Sequence, residues 1–237
     1  MKRFWREASV GERNGGSTIQ LDGRPLRLPG GAPLRVDGRA LAEAIAAEWQ
    51  AAGGAVGGEM SYEDVPLTRL AGTAQERIAP DPEGTIDGLA RYGESELLCY
   101  RATGPDALVH RQRTQWQPWL DWAARSLDAN LLVTAGVMPV VQDKQALKAL
   151  RSAVAAYDAY GLAGLGLAVP ALGSLVLGLA LGQGRLDAAA AQALATLDER
   201  FQAELWGEDA EAAARQRRIG EEVALADRFM TLSRAGR

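Results

Sequence analysis

Residues 161–182 read GLAGLGLAVPALGSLVLGLALG, and none of them is charged. The reading of this stretch decides the fold. It is long enough to cross a bilayer as one helix. The alternative is a helix, or a pair of short helices, buried on all sides within a helical domain. Its six glycines and Pro170 weaken the lipid reading without excluding it, because membrane helices tolerate both. The flanks favour burial. Residues 144–160 and 186–206 carry long amphipathic patterns of the kind soluble bundles use.

Working outward, Leu186, Ala190, Leu194, Leu197, Phe201 and Leu205 form one helical stripe. Ile219, Val223, Ala226 and Met230 form another, faced by Arg215, Arg217, Arg218, Glu221 and Glu222. On the other side, Asp143 can cap a helix carrying Leu147, Leu150, Val154 and Tyr157. Pro105 stands where a helix can begin and run to Leu127, with Trp116, Trp119 and Trp122 spaced as i,i+3 neighbours. Residues 96–101 (ELLCYR) fit a strand or a helix, and residues 85–92 a short helix.

The first third of the chain punctuates like β structure. Residues 3–10 mix apolar and polar side chains on a strand-like scale, and residues 18–21 alternate with period two. Asp22-Gly23 supplies a turn before residues 24–28, and Pro29-Gly30-Gly31 breaks the chain before residues 33–36. Asp37 offers an N-cap for a helix over 39–52, with Leu41, Ile45, Glu48 and Trp49 on one face and Gly53-Gly54 as its end. A second helix spans 66–78, with Leu67, Leu70, Ala74 and Ile78 in register. Pro80-Asp81-Pro82 marks the boundary. The expected fold is α+β. A small N-terminal β-rich domain with one or two helices (1–80) precedes a mostly α-helical C-terminal domain (81–237).

Composition removes several functions. Among 237 residues there are one cysteine and one histidine. A lone cysteine forms no intrachain disulfide, and the pair cannot supply the four ligands of a structural zinc site. With 26 Lys+Arg against 30 Asp+Glu the net charge is −4, which gives no electrostatic footprint for nucleic acid. No phosphate-binding G-x-x-x-x-G-K-[ST] occurs. The pair Gly164 and Gly166 lacks a third glycine at Val169, so there is no dinucleotide fingerprint. Neither G-x-S-x-G nor H-E-x-x-H is present. Cys99 and His110 could form a nucleophile and base only if the fold joined them, and a buried structural thiol is the simpler reading. The opening residues MKRFWREASVGERNGG contain no apolar signal core, so the expected compartment is the cytoplasm. What remains is aromatic. Trp206, ahead of Gly207-Glu208-Asp209, is either a core anchor or an exposed interface anchor, and Trp49 has the same two readings.

Seven stretches then add a family pattern. They are IQLDGRPLRLP (19–29), LAEAIAAEW (41–49), PLTRLA (66–71), ELLCYRA (96–102), RQRTQWQPWLDWA (111–123), LGSLVLGLALGQGRL (172–186) and DERFQAELWGEDAEA (198–212). In this order, over more than two-thirds of the chain, they resemble the Atp-twelve family, assembly chaperones for the soluble catalytic head of F-type ATP synthase. The resemblance implies a β-rich N-terminal domain and a helical C-terminal one. It implies binding of the newly made alpha subunit, covering a surface that later meets beta and preventing aggregation. It implies no catalysis, cofactor, small-molecule substrate, nucleic acid or stable membrane insertion, and it places the apolar stretch in a soluble helix. For the contact it points to Trp206, Glu208 and Asp209, with Glu204 one turn before Glu208. Trp49, Arg69 and Arg101 are expected to brace the domain junction. Gly72 and the glycine-rich 53–58 depart from the family pattern. The presequence of the mitochondrial relatives is missing, so the sequence looks like a bacterial member acting in the cytoplasm. A general protein-interaction module with a different client is the competing function.

Overall fold

The computed structural model describes residues 1–13, 16–136, 138–207 and 209–235. The chain divides into two compact units, one of Met1–Pro82, Asp158–Gly164 and Arg228–Arg237, the other of Glu83–Tyr157 and Leu165–Asp227. The architecture is α+β, as expected, with the strands concentrated early and helices dominating the rest.

In the first unit, β1 (Ala8–Arg13) and β2 (Gly16–Leu21) pair antiparallel, from Ala8 opposite Leu21 to Arg13 opposite Gly16. Asp22 and Gly23 both take positive φ, 49° and 75°, which suits a two-residue hairpin. The chain returns as β3 (Arg24–Pro25), and β4 (Arg35–Val36) pairs with β2 at Thr18 and Ser17. The strands expected over 24–28 and 33–36 are thus cut to two residues each. Prolines 25, 29 and 33 supply no N–H to a ladder, and Pro33 makes only an isolated bridge with Arg27. Burial on β2 does not alternate, because Ser17, Thr18, Ile19 and Leu21 are all buried.

Helix α1 (Arg39–Ala51) packs on β1 and β2 through Leu41, Ile45 and Trp49. Asp37 does not cap it. The extended N-cap residue is Gly38, whose carbonyl accepts from Ala42 N, so Asp37 lies one residue too early. At the other end, buried Arg3 donates to the carbonyls of Trp5, Arg6, Gln50, Ala52 and Gly54. A cation suits a helix C-terminus, and these five bonds spread over all three guanidinium nitrogens. Helix α2 (Pro66–Thr73) starts with proline at its first turn and continues as one wide π-helical turn, Ala74–Ile78. Tyr160 and Phe229 complete this unit. Their rings stack at 6.0 Å, and the Tyr160 hydroxyl donates to the Arg35 carbonyl at 2.6 Å.

The second unit is helical. Its helices are α3 (Glu83–Ala90), α4 (Asp106–Leu127), α5 (Lys144–Ala155), most of α6 (Ala159–Leu172), α7 (Leu175–Gly182), α8 (Ala188–Ala195), α9 (Leu197–Trp206) and the greater part of α10 (Ala210–Arg234). Residues 96–101 hold both predicted possibilities in turn. A short 3-10 turn, Leu97–Cys99, runs into β5 (Tyr100–Arg101), which pairs parallel with β6 (Thr134–Ala135). Asp143 caps α5 by accepting from Gln145 N, as expected.

The apolar stretch is a pair of short helices. Gly173 turns the chain at φ 64°, and Ser174 caps α7 by accepting from Leu177 N. Every residue of α7 is buried. Helix α6 is not buried on all sides, since Gly166 and Pro170, four apart, are exposed. Among the described residues no helix is long and apolar enough to cross a membrane. The stripe expected from Leu186 to Leu205 breaks at Thr196 into α8 and α9.

Candidate functional site

Helix α9 buries Leu197 and Phe201. Leu205 lies two turns beyond Leu197, and at about 100° per residue it has rotated about 80° off that face. It is 57% exposed, and its neighbour Trp206 is 78% exposed. The stripe predicted to end in a buried Leu205 therefore ends at Phe201. Gly207 closes the helix at φ 91°, its N–H donating to the Ala203 carbonyl. Two large apolar side chains stand in solvent at a helix end.

Glu204 anchors that end. Its carboxylate accepts two hydrogen bonds from Arg111 of α4, at 2.7 and 2.8 Å, and the same guanidinium lies 5.1 Å from the centre of the Phe201 ring. The Arg111 bond holds the Glu204 carboxyl below the usual carboxylate range. Asp209 opens α10, its carboxylate accepting from Ala212 N at 3.2 Å. Glu208 lies outside the described residues. The fold thus brings Glu204, Trp206 and Asp209 together at one helix–helix junction of the second unit.

It does not bring the other three predicted residues to that place. Trp49 is buried in the first unit. Its indole donates to Thr68 Oγ1 at 2.8 Å, its carbonyl accepts from Trp5 Nε1, and the two indoles lie 5.0 Å apart. It is core and offers no surface to a partner. Arg69 is exposed on α2 of the first unit. Arg101, half-buried in the second unit, donates to the Leu98 and Gln112 carbonyls and to Gln117 Oε1, and lies over Trp116. Desolvation by burial lowers its pKa. Trp116 is core, its Nε1 donating to the Leu194 carbonyl at 2.9 Å, while Trp119 and Trp122 are half-buried and meet edge to face.

The cysteine reading fails. Cys99 is fully buried, and its thiol is pushed up to about 12, first by burial and then by the Glu96 charge. That is the reverse of an activated thiolate. His110 sits exposed on α4. Among the described residues no cluster of His, Cys, Asp and Glu could hold a metal.

Sequence reasoning missed three features. In the sequence Arg111 stands out only as part of a motif. Helical spacing puts Leu205 in the core, although adjacent Leu and Trp cannot share one helix face. Leu132, Val133, Met138 and Val141, in the loop between α4 and α5, are exposed apolar side chains. Their signal was the charge-free run 131–141.

The family profile described as ATP12 chaperone protein matches residues 2–124. The chain belongs to the ATP12 chaperone family. It is 45% identical to the crystal structure of Atp12 from Paracoccus denitrificans, with a TM-score of 0.92 and 98% of each chain covered. It is 39% identical to the Atu1473 protein of Agrobacterium tumefaciens, with a TM-score of 0.88, covering 98% of this chain and 85% of that one. The mitochondrial protein atp12 of Schizosaccharomyces pombe is 24% identical over 217 residues, 87% of this chain and 74% of the relative. The helix end at 204–209 thus stands on an ATP12 scaffold.

Proposed function

We propose that this ATP12 family member holds the unassembled alpha subunit of the F-type ATP synthase catalytic head until it pairs with beta. It acts in the cytoplasm, without catalysis or cofactor. The observation that carries the reading is the exposed Leu205–Trp206 step, fixed from below by Arg111 and Glu204. An aromatic anchor with a charged rim is what protein interfaces use. A ring subunit on its own exposes surface made for a neighbour, and such surface aggregates unless covered.

The test is capture of separately expressed alpha and beta subunits of the same organism, without nucleotide. Selective capture of alpha, with more of it kept soluble, is the expected result. Equal capture of both, or of neither, overturns the reading and favours a different client.

A further inference from the structure

A second charged surface, which includes Arg69, lies in the first unit. Arg69 and Thr73 are four apart on α2. A regular helix would carry the residue at i+8 about 80° round the axis, because each residue advances about 100°. The π turn Ala74–Ile78, closed by Ala79 N to the Ala74 carbonyl, fits more residues into one turn and removes much of that drift. Arg69, Thr73 and Arg77 accordingly line one groove of about 370 Å³, faced by Leu28, Pro29 and Tyr62. Single π turns inside helices are frequent at functional sites.

The floor of the groove is apolar. A Cβ on Gly72 would stand 3.0 Å from Leu28 Cδ2, so the leucine packs close against the bare helix backbone. Tyr62 is 47% exposed on the rim. The charges are unbalanced. The Glu76 carboxylate is engaged by Gly30 N at 3.2 Å. Among the described residues neither guanidinium of Arg69 or Arg77 has a hydrogen bond or ion pair. With Glu76 still charged, Arg69 and Arg77 leave the groove lining one net positive charge, on a chain whose net charge is −4, and that charge favours an anion. The helix start is not available to one, because Glu48 already accepts from Leu67 N and Thr68 N there. A phosphate would therefore find no backbone N–H groups at that end.

We propose that this groove binds an extended acidic–apolar peptide segment, supplied by the client. Its carboxylate engages the Arg69 and Arg77 guanidiniums, and its apolar side chains lie on Leu28, Pro29 and Tyr62. The apolar floor beside two arginines and the fork geometry of the guanidinium both fit such a segment. The proposal rests on the client reading above only for the source of the peptide.

The test titrates the ¹⁵N-labelled full chain with two capped peptides, one alternating leucine with aspartate and glutamate, the other with lysine at each acidic position. Inorganic phosphate and a short single-stranded oligonucleotide are the remaining probes. Saturable shifts at the Gly72, Thr73 and Arg77 amides with the acidic peptide alone are expected. Arg69→Ala combined with Arg77→Ala should weaken that binding at least about tenfold, while the paired Lys substitutions retain part of it. An unchanged melting temperature would show that the variants fold. No saturable shift, an equal response to the lysine peptide, or tighter binding of phosphate or oligonucleotide overturns the proposal. Capture of alpha by the double-Ala variant separates the two readings. If the parent chain captures alpha and this variant captures it equally well, the groove is not a client site. If the parent captures no alpha, the client reading falls, and the peptide titration still decides the groove.

Discussion

Arg111 grips Glu204 through two parallel hydrogen bonds, at 2.7 and 2.8 Å, with Phe201 beneath the same guanidinium. The bond spans 93 residues of sequence and fastens the last turn of α9 to α4. Helix ends fray when nothing holds them. Here the exposed Leu205 and Trp206 project from a fixed base.

Replacing Arg111 should therefore change presentation more than stability. Arg111→Lys keeps the charge but loses the fork, and Arg111→Ala loses both. Amide exchange in the last turn of α9 should quicken in that order, with a graded loss of client capture and a nearly unchanged melting temperature. Exposed ion pairs contribute little to stability. A large drop in melting temperature would show that the pair carries the fold instead.

Two tryptophans make opposite predictions. Trp206→Ala should leave stability within about 0.5 kcal/mol, as for surface substitutions, and weaken capture of the client by about 2 kcal/mol or more. Trp116→Ala empties a core site and strips the Leu194 carbonyl of its donor, at a cost of about 3–5 kcal/mol in stability. Denaturant titration beside capture separates them. A Trp206→Ala protein that melts early but still binds would return that residue to the core.

Glu96 sets a pH dependence. The side chain is fully buried and accepts from Ser174 Oγ and from the backbone of Leu98, Leu175 and Val176. Burial outweighs these bonds and raises its pKa above the ordinary 4.5. The folded state then holds this proton more tightly than the unfolded one. The stabilisation is full below the ordinary value and declines as pH rises through the raised folded pKa. Melting temperatures of the parent should fall across that window. Glu96→Gln should be less stable throughout, because its amide turns a donor toward donors, and its profile should be flatter. Glu48, shifted the same way by burial, remains in both proteins. Parallel profiles would clear Glu96 of the effect.

Glycines 166 and 178 differ in what surrounds them. A Cβ at Gly178 would collide with Val169 Cγ2, while nothing lies within 4 Å of one at Gly166. Gly178→Ala should cost about 1–3 kcal/mol through overpacking. Gly166→Ala, on an exposed helix face, should gain about 0.5–1 kcal/mol. Urea midpoints of the two variants test this directly.

Cys99, buried with its thiol near 12, should resist iodoacetamide at pH 8 in the folded protein and react readily in urea. Fast labelling of the native chain would mean that the site opens. Cys99→Ser should not diminish client capture.

The division into strands and helices was legible because prolines and glycines punctuate this chain so heavily. Gly53, Gly54, Pro66 and Gly173 each stand at a helix end or start. Local pattern failed where tertiary geometry intervened. Arg3 reads as an ordinary charged residue near a terminus, yet five carbonyls enclose it. The π turn after Thr73 leaves no mark in a sequence that fits an α-helix throughout. The Leu186–Leu205 stripe has helical spacing across Thr196, so its break is invisible to periodicity. Of the candidate site, Trp206 and its acidic neighbours were found through motif resemblance. The exposure of Trp206 could be known only once Phe201 was seen to end the buried face.

The first unit includes residues 158–164 and 228–237, more than seventy positions beyond Pro82. Ribosomal synthesis delivers the first piece between the two parts of the helical unit and the second after both. The early sheet and α1 must wait through the making of the whole helical unit before Phe229 arrives to stack on Tyr160. Domains ordinarily fold in the order they are translated, but here the first to be made is among the last to be finished. A member of a chaperone family itself passes through a long unfinished stage on the ribosome.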